Sequence, residues 1–311
     1  MLAGSSAWAQ TSMVVLTLPA SARAAGGGDA APFATDASAL FYGAQHLPRA
    51  RAVAASAGTW LGDAQLASIA FSTPVAWQRR AQTVVALGVQ SLNYGSVDEI
   101  VPDPLTGGTR GVATGNRVSG NELAVTLGLS QGTARQRIGA AMTYMRQSVA
   151  DLSASAVTLS AATGITVRGW DADYAGAHAS ASRRDPSRRT LAIPTTHRLS
   201  VATPPWGPRG ARWRGARWRG VAEARRISGE GTTTLAGVEA TFHSTSKWTV
   251  QARGAALAYT KETARAPWTV GGSAARGAWA VDYGYQGFGA LGAVHRMGVT
   301  WRATNADTRS R

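Results

Sequence analysis

The sequence predicts an all-β fold, a transmembrane β-barrel of about 12–14 antiparallel strands. Three observations predict it. Apolar and polar residues alternate in the closing segment 279–302. Only 16% of the 311 residues are charged, whereas 44% are hydrophobic, and a soluble protein usually carries about 25% charged residues. No run of about 18 uncharged apolar residues is available to form a membrane-spanning helix.

The closing segment carries the clearest strand pattern. Arginine lies at both ends of the polar face of its second strand, at Arg296 and Arg302. An apolar face needs an apolar neighbour, while a polar face with arginine suits a water-filled interior. The apolar residues, each set on one face of its strand, are Trp279, Val281, Tyr283, Met297, Val299 and Trp301.

Segment 247–253 alternates in the same way. The side chains expected to face outward are Trp248, Val250 and Ala252, and those expected to face inward are Lys247, Thr249, Gln251 and Arg253. Further strands are expected at 65–72, 84–94, 122–130, 137–146, 198–203, 221–226 and 232–242. The 11 tryptophans are expected near the lipid–water boundary. Alternation alone leaves a soluble β-sandwich or soluble barrel open as the alternative.

The first residues suggest export. Residues 1–9 read as the remnant of a secretory signal, with Ala7-Trp8-Ala9 as the cleavage site and Gln10 as the first mature residue. An ordinary stretch rich in alanine and serine is the alternative. The absence of cysteine excludes disulfides, thiolate catalysis and cysteine-ligated metals.

Several segments carry a family resemblance in their order along the chain. They are 19–30 with its Gly26-Gly27-Gly28, 34–42, 59–63, 145–156 and the ending 282–296. In this order they resemble the PorV/PorQ family, relatives of the FadL-type outer-membrane barrels. Gly43-Ala44-Gln45 stands where the family usually has Asn-Pro-Ala, which weakens the match at that turn.

The resemblance implies an outer-membrane protein of a Gram-negative-type bacterium. It implies an N-terminal plug-like segment at 10–47 and a barrel at 48–302. The residues themselves add an Arg/Trp-rich loop at about 183–220 and a tail at 303–311. PorV-like members act in type IX protein secretion, so exported cargo proteins and secretion-machinery components are the expected partners, bound through exposed loops at 97–120 and 175–215. FadL-like passage of hydrophobic small molecules is the alternative function.

The Arg/Trp-rich loop contains a tandem repeat. Gly210-Ala211-Arg212-Trp213-Arg214 is followed by Gly215-Ala216-Arg217-Trp218-Arg219 in a chain of net charge +15. Arginine beside tryptophan suits an anionic membrane surface such as lipopolysaccharide, or a partner protein. It also suits nucleic acid, which makes a basic nucleic-acid-binding protein a third function. A recent duplication without a role is the remaining explanation. The residues for anionic contact are Arg212, Trp213, Arg214, Arg217, Trp218 and Arg219.

Catalytic and metal-binding patterns are scarce. The five histidines show no i, i+4 pair and no neighbouring carboxylate cluster. Gly26-Gly27-Gly28 lacks the spacing of a dinucleotide loop, and no serine lies in a G-x-S-x-G setting. Asp98, Glu99 and Asp103 are read as part of a solvated loop. The sequence therefore predicts a protein that is not an enzyme, with no cofactor, no metal and no catalytic residue.

Overall fold

The computed structural model describes residues 13–75, 82–103, 105, 110–150, 152–180, 183–184, 190–191, 193–207, 216–243, 247–261 and 263–303. Sixteen strands lie in this part of the chain: β1 Ala52–Thr59, β2 Gln65–Val75, β3 Gln82–Pro102, β4 Gly111–Gly132, β5 Gln136–Val149, β6 Leu152–Val167, β7 Trp170–Ser180, β8 Arg183–Arg184, β9 Thr190–Leu191, β10 Thr196–Ala202, β11 Arg217–Ile227, β12 Gly231–His243, β13 Trp248–Tyr259, β14 Trp268–Arg276, β15 Trp279–Gly287 and β16 Ala293–Arg302.

Fourteen of these strands form one closed antiparallel barrel, and β8 and β9 form a small separate hairpin. The barrel closes where β1 pairs with β16, from Ala52 opposite Arg302 to Gly58 opposite Arg296. Closure leaves no sheet edge along the wall, so the backbone groups of the wall are paired as a lipid environment demands. The predicted all-β barrel is confirmed, at the upper end of the predicted strand range.

The two faces of the wall carry the predicted alternation. Trp248 and Val250 on β13 are exposed on the outer face, whereas Arg253 on the same strand is buried on the inner face. On β16, Met297 and Val299 are exposed and Arg296 is buried. The apolar face therefore looks outward from the barrel, as a lipid-facing wall requires.

Most of the described tryptophans lie at one end of the barrel, and Trp60 and Trp268 lie at the other. We call the first of these ends the terminal rim, because β1 begins and β16 ends there, and we call the opposite end the distal rim. The tryptophans at the terminal rim are Trp170, Trp206, Trp218, Trp248, Trp279 and Trp301. Indole rings concentrate at membrane–water boundaries. Short turns occur on both rims, at 133–135, 168–169 and 277–278 on the terminal rim and between β5 and β6 and at 228–230 on the distal rim.

Residues 13–47 lie inside the barrel, and we call them the plug. They form short turns and no long helix: Val14–Leu16, Ala22–Ala25, Ala31–Phe33, Ala37–Phe41 and Ala44–His46, with further turns outside the plug at Leu61–Asp63 and Gly289–Leu291. Plug and wall meet backbone to backbone, since a Cβ added to Gly26 would lie 2.6 Å from the Cα of Gly271. The polar inner faces of the strands suggested a water-filled interior. The plug occupies that interior instead.

Two loop predictions are wrong. The segment 97–120 is not a loop, because β3 runs to Pro102 and β4 begins at Gly111, with both paired across their extensions. The prolines and carboxylates near residue 103 suggested a long loop. They instead mark the point at which the pairing of β3 with β4 ends, at Pro102 opposite Gly111. The segment 175–215 likewise contains the end of β7 and all of β10, so the Arg/Trp-rich loop expected at 183–220 is interrupted by barrel strand.

No helix in the described part of the chain is long and apolar enough to cross a membrane. The suspected signal remnant at 1–9 and the tail from 304 onward lie outside the described residues.

Candidate functional site

The predicted anionic-contact residues are only partly described. Arg212, Trp213 and Arg214 lie outside the described residues. Trp218 faces outward at the terminal rim, while Arg219 faces the interior, where it pairs with Asp171 at 3.2 Å and donates to the Pro32 carbonyl oxygen. Arg217 lies on the same face of β11 as Arg219, because the two are two positions apart in the strand. The tandem repeat is therefore split between the two faces of the wall where it is described.

Inside the barrel, ion pairs fasten the plug to the wall. Asp29 of the plug accepts from Arg198 at 3.3 Å, from Arg225, and from the Tyr42 hydroxyl at 2.7 Å. Glu223 on β11 accepts from Arg198 at 2.8 Å and from the backbone N–H of Ala31 in the plug at 2.8 Å. Buried charges require such partners. The interior arginines of β10 and β11 thus hold the middle of the plug.

A second buried cluster fastens the start of the plug. Arg23 pairs with Glu239 at 2.7 Å, and its other nitrogen donates to the Gln251 side chain at 2.6 Å. Arg253 lies between Glu239, at 3.2 Å, and Asp282, at 3.5 Å. Gln251 and Arg253 face inward as predicted, but they do not line an open channel. Gln251 contacts Arg23 of the plug, and Arg253 pairs with the same Glu239 that binds Arg23.

Towards the distal rim, a buried carboxylate binds the first described residues. Glu122 is 1% exposed. It accepts from the backbone N–H of Val15 at 2.7 Å, from the Tyr94 hydroxyl at 2.8 Å and from Gln147 at 3.0 Å. An apolar cluster surrounds this contact, with Met13, Leu18, Leu66, Leu92 and Met145 among its members. The half of the interior nearer the distal rim therefore contains an apolar cluster, which residues 13–18 of the plug fill.

At the end of the plug, His46 is nearly enclosed. Its Nε2 lies 3.6 Å from an Asp173 oxygen. Burial is the main cause that lowers the pKa of His46 to about 3, and the charges of Arg137 and Arg219 lower it further. His46 is therefore neutral in the folded protein at physiological pH. The described residues contain no group of three or more His, Asp or Glu side chains that could hold a metal ion.

The plug leaves little free space beside the wall. A void of about 20 Å³ lies between plug residues 40–44 and the inner faces of β5, β6 and β7. Leu40 and Ala44 of the plug contribute apolar surface to it, and buried His178 lies on its wall. A void of this size accommodates about one water molecule. A larger molecule needs a rearrangement of the plug to enter.

The opposite face of the same wall carries a groove of about 750 Å³, which we call the outer groove. Its floor is a row of small residues that face each other across neighbouring strands, Ala140, Ala161 and Gly176. Its sides are larger outward-facing side chains: Leu127, Leu129, Met142, Leu159, Tyr174 and His197. The groove is apolar and lies in the lipid-facing surface.

The pairing of β6 with β7 is irregular in the part of the wall that separates the void from the outer groove. The ladder between β6 and β7 passes from Leu159 opposite Ala179 to Ala161 opposite Gly176, which leaves a bulge. His178 lies in this bulge with a φ of 61°, an uncommon value for a residue with a side chain. Six residues line both the void and the groove: Ala140, Ala141, Ser160, Ala161, Gly176 and Ala177. One layer of mostly small residues therefore separates the interior from the lipid-facing side.

Three solved structures show what this architecture resembles. A FadL homologue of Pseudomonas aeruginosa has a TM-score of 0.55 at 11% identity, covering 91% of this chain and 98% of its own. The toluene transporter TbuX of Ralstonia pickettii has a TM-score of 0.56 at 11% identity, covering 92% and 99%. The toluene transporter TodX of Pseudomonas putida has a TM-score of 0.53 at 12% identity, covering 92% and 98%. No family model and no curated protein matches the chain.

At such low identity these similarities show the fold. The predicted FadL-type outer-membrane barrel is confirmed at that level, and with its closed wall and tryptophan girdle the chain is an outer-membrane protein. The narrower PorV/PorQ resemblance stays a prediction.

The outer groove and the ion pairs of the plug are not apparent from the sequence. Alternation predicts that Ala140, Ala161 and Gly176 face outward, but only the strand register places them in one row. Arg198 and Asp29 are 169 positions apart in the sequence, so no local spacing connects them. The buried charge of Asp29 could have been suspected from its place among alanines and glycines in the segment 24–34.

Proposed function

We propose that the protein conducts small hydrophobic molecules through the outer membrane, which was the alternative function in the sequence reasoning. The main support is the outer groove. It is separated from the interior void by six mostly small residues at the bulge between β6 and β7. A hydrophobic molecule reaches a low-energy environment when it leaves the interior towards the lipid side of the wall. The fold shared with two toluene transporters supports this proposal.

The proposed route begins at the distal rim, in the apolar cluster around Met13 and Leu18. It continues past the plug towards residues 40–44 and leaves through the wall at the bulge. The void of about 20 Å³ is too small for passage, so the route opens only when the plug shifts. The interior arginines of β10, β11 and β13 are paired with carboxylates and do not form a polar channel through the barrel.

The test is uptake of a labelled hydrocarbon such as toluene, and of a labelled fatty acid, by Gram-negative cells that produce the protein. Cells with the wild type are expected to accumulate the label faster than cells that lack the protein. Ala161→Trp fills the outer groove and is expected to slow uptake severalfold. Ala252→Trp, on the outer face of β13 away from the groove, is the matched control and retains wild-type uptake. Equal uptake with and without the protein contradicts the proposal.

A second function, binding of exported proteins in secretion, is supported by the extension of β3 and β4. Beyond Tyr94 and Ser119 the described residues of these strands pair only with each other, so a two-stranded ribbon projects from the distal rim with its described outer edges unpaired. Val97 and Ile100 are each 67% exposed on it. Exposed apolar side chains and free strand edges favour a protein partner.

Removal of residues 97–118 tests this second function. The shortened protein is expected to lose surface retention of exported cargo while it keeps hydrocarbon uptake. Cargo retention that stays at the wild-type level contradicts a secretion role for the ribbon.

A further inference from the structure

We propose that the outer groove also binds a phosphate-bearing lipid, with its acyl chain in the groove and its headgroup at Arg226 and His197. This site goes beyond the transport of hydrophobic molecules, because its ligand is a resident lipid of the membrane.

A single row of outward-facing residues leads from the groove to the arginine. Leu129 lies opposite Ala140, Ala140 opposite Ala161, and Ala161 opposite Gly176. Gly176 then lies opposite His197, and His197 opposite Arg226. Neighbouring strands are about 4.8 Å apart, so the row from Leu129 to His197 spans about 19 Å.

The row climbs the barrel as it crosses the strands. Leu129 lies three residues from the end of β4 at the terminal rim, whereas Arg226 is the penultimate residue of β11 at the distal rim. The groove therefore runs obliquely from within the lipid-facing band to the membrane boundary. A lipid bound in the groove would therefore have its acyl chain within the lipid-facing band and its charged headgroup at the membrane boundary.

The polar end offers hydrogen-bond donors to an anion. The Tyr174 hydroxyl and His197 Nδ1 are 2.8 Å apart. When the hydroxyl donates to Nδ1, the ring carries its proton on Nε2 and keeps that N–H for another acceptor. Directly opposite His197, Arg226 forms no ion pair with any described carboxylate. A guanidinium beside an imidazole N–H fits a phosphate group.

A second tyrosine–histidine pair serves as an internal comparison. The Tyr283 hydroxyl lies 2.7 Å from His295 Nδ1 on the outer face of β15 and β16. His295 lies opposite Tyr285, and no arginine faces outward beside it. The pair alone is thus not expected to retain a lipid.

The experiment is native mass spectrometry of the purified protein in mild detergent, titrated with phosphatidylglycerol or with diacylglycerol of the same chain length. The two lipids differ in the phosphate headgroup, so the wild type is expected to retain the phospholipid about tenfold better. Arg226→Ala is expected to remove that preference. Arg276→Ala is the matched control, because Arg276 faces outward at the terminal rim over the Trp248 ring.

Ala161→Trp, which fills the groove, is expected to weaken retention of both lipids. Each variant is first checked for a folded band that shifts on heating, so that loss of lipid binding is not loss of the barrel. Equal retention of both lipids by the wild type, or undiminished phospholipid retention by Arg226→Ala, overturns the proposal. Arg226→Ala is expected to keep hydrocarbon uptake, so failure of the lipid site and failure of the transport function are distinguishable.

Discussion

At the scale of single residues, Asp29 connects the plug with the wall. Its carboxylate is shared by Arg198, Arg225 and the Tyr42 hydroxyl, and the same hydroxyl accepts from the backbone N–H groups of Ala20 and Ser21. Tyr42 thus ties the start of the plug to its middle. The plug therefore behaves as one body, anchored where Asp29 meets the arginines.

Asp29→Asn is expected to destabilise the protein, because it leaves two buried guanidinium groups with one fewer anion. Loss of one partner from a buried ion pair costs about 3–5 kcal/mol. The urea unfolding midpoint in detergent micelles measures the effect. Asp98→Asn is the control, since Asp98 and Arg117 form an exposed pair, and exposed pairs contribute less than about 1 kcal/mol. Equal effects of the two substitutions would contradict the anchoring role of Asp29.

His46 predicts a dependence of stability on pH. Burial lowers the pKa of His46 from its ordinary value of 6.5 to about 3, so below pH 6.5 the unfolded chain binds a proton that the folded chain does not bind. Above pH 6.5 the protonation of His46 therefore does not reduce the free energy of unfolding. As the pH falls from 6.5 towards 3, the free energy of unfolding decreases. At pH 5 the decrease is at most about 2 kcal/mol.

His46→Gln removes the titrating group and is expected to abolish that part of the decrease between pH 7 and pH 5. Urea unfolding of both proteins at the two pH values measures it. An identical pH dependence of the two proteins rules out His46 as its source.

At the scale of elements, the ribbon of β3 and β4 is the part least tied to the rest. Where residues 95–118 are described, each strand pairs only with the other, and the side chains on both faces are mostly exposed. A two-stranded ribbon alone is marginally stable in water. The ribbon therefore contributes little to the stability of the barrel.

Removal of residues 97–118 is therefore expected to change the free energy of unfolding by less than about 1 kcal/mol. Urea unfolding of the shortened protein measures this. A fall in stability of several kcal/mol would mean that the ribbon packs on the barrel.

The elements also show what the sequence could predict. Alternation in 248–253 and 279–302 identified faces correctly, because each side chain's face follows from its position in the strand. Lys247, which was expected to face inward, instead lies exposed in the turn before β13. The extensions to Pro102 and from Gly111 were missed, since prolines, glycines and carboxylates suggest a loop even where two strands pair in solvent. The outer groove was missed because it depends on the register of the five strands β4, β5, β6, β7 and β10, which alternation does not specify.

At the scale of the whole molecule, the closed wall and the fastened plug predict a resistant fold. Protein from an outer-membrane fraction is expected to migrate as a compact band in a detergent gel and to shift to its full apparent mass only after boiling. The reason is that a closed barrel has no edge from which the strands can separate. A single band unaffected by boiling would contradict the barrel.

The measurement that tests the transport account most directly is hydrocarbon uptake with the plug reversibly tethered. A Cβ on Gly298 would lie 3.2 Å from the Cβ of Ala22 in the plug, slightly closer than the mean Cβ separation of a disulfide, about 3.8 Å. The chain has no cysteine of its own, so Ala22→Cys with Gly298→Cys introduces one defined pair. We expect uptake to stop when this pair is oxidised and to return when it is reduced. Unchanged uptake by the fully oxidised protein would contradict passage through a shifting plug.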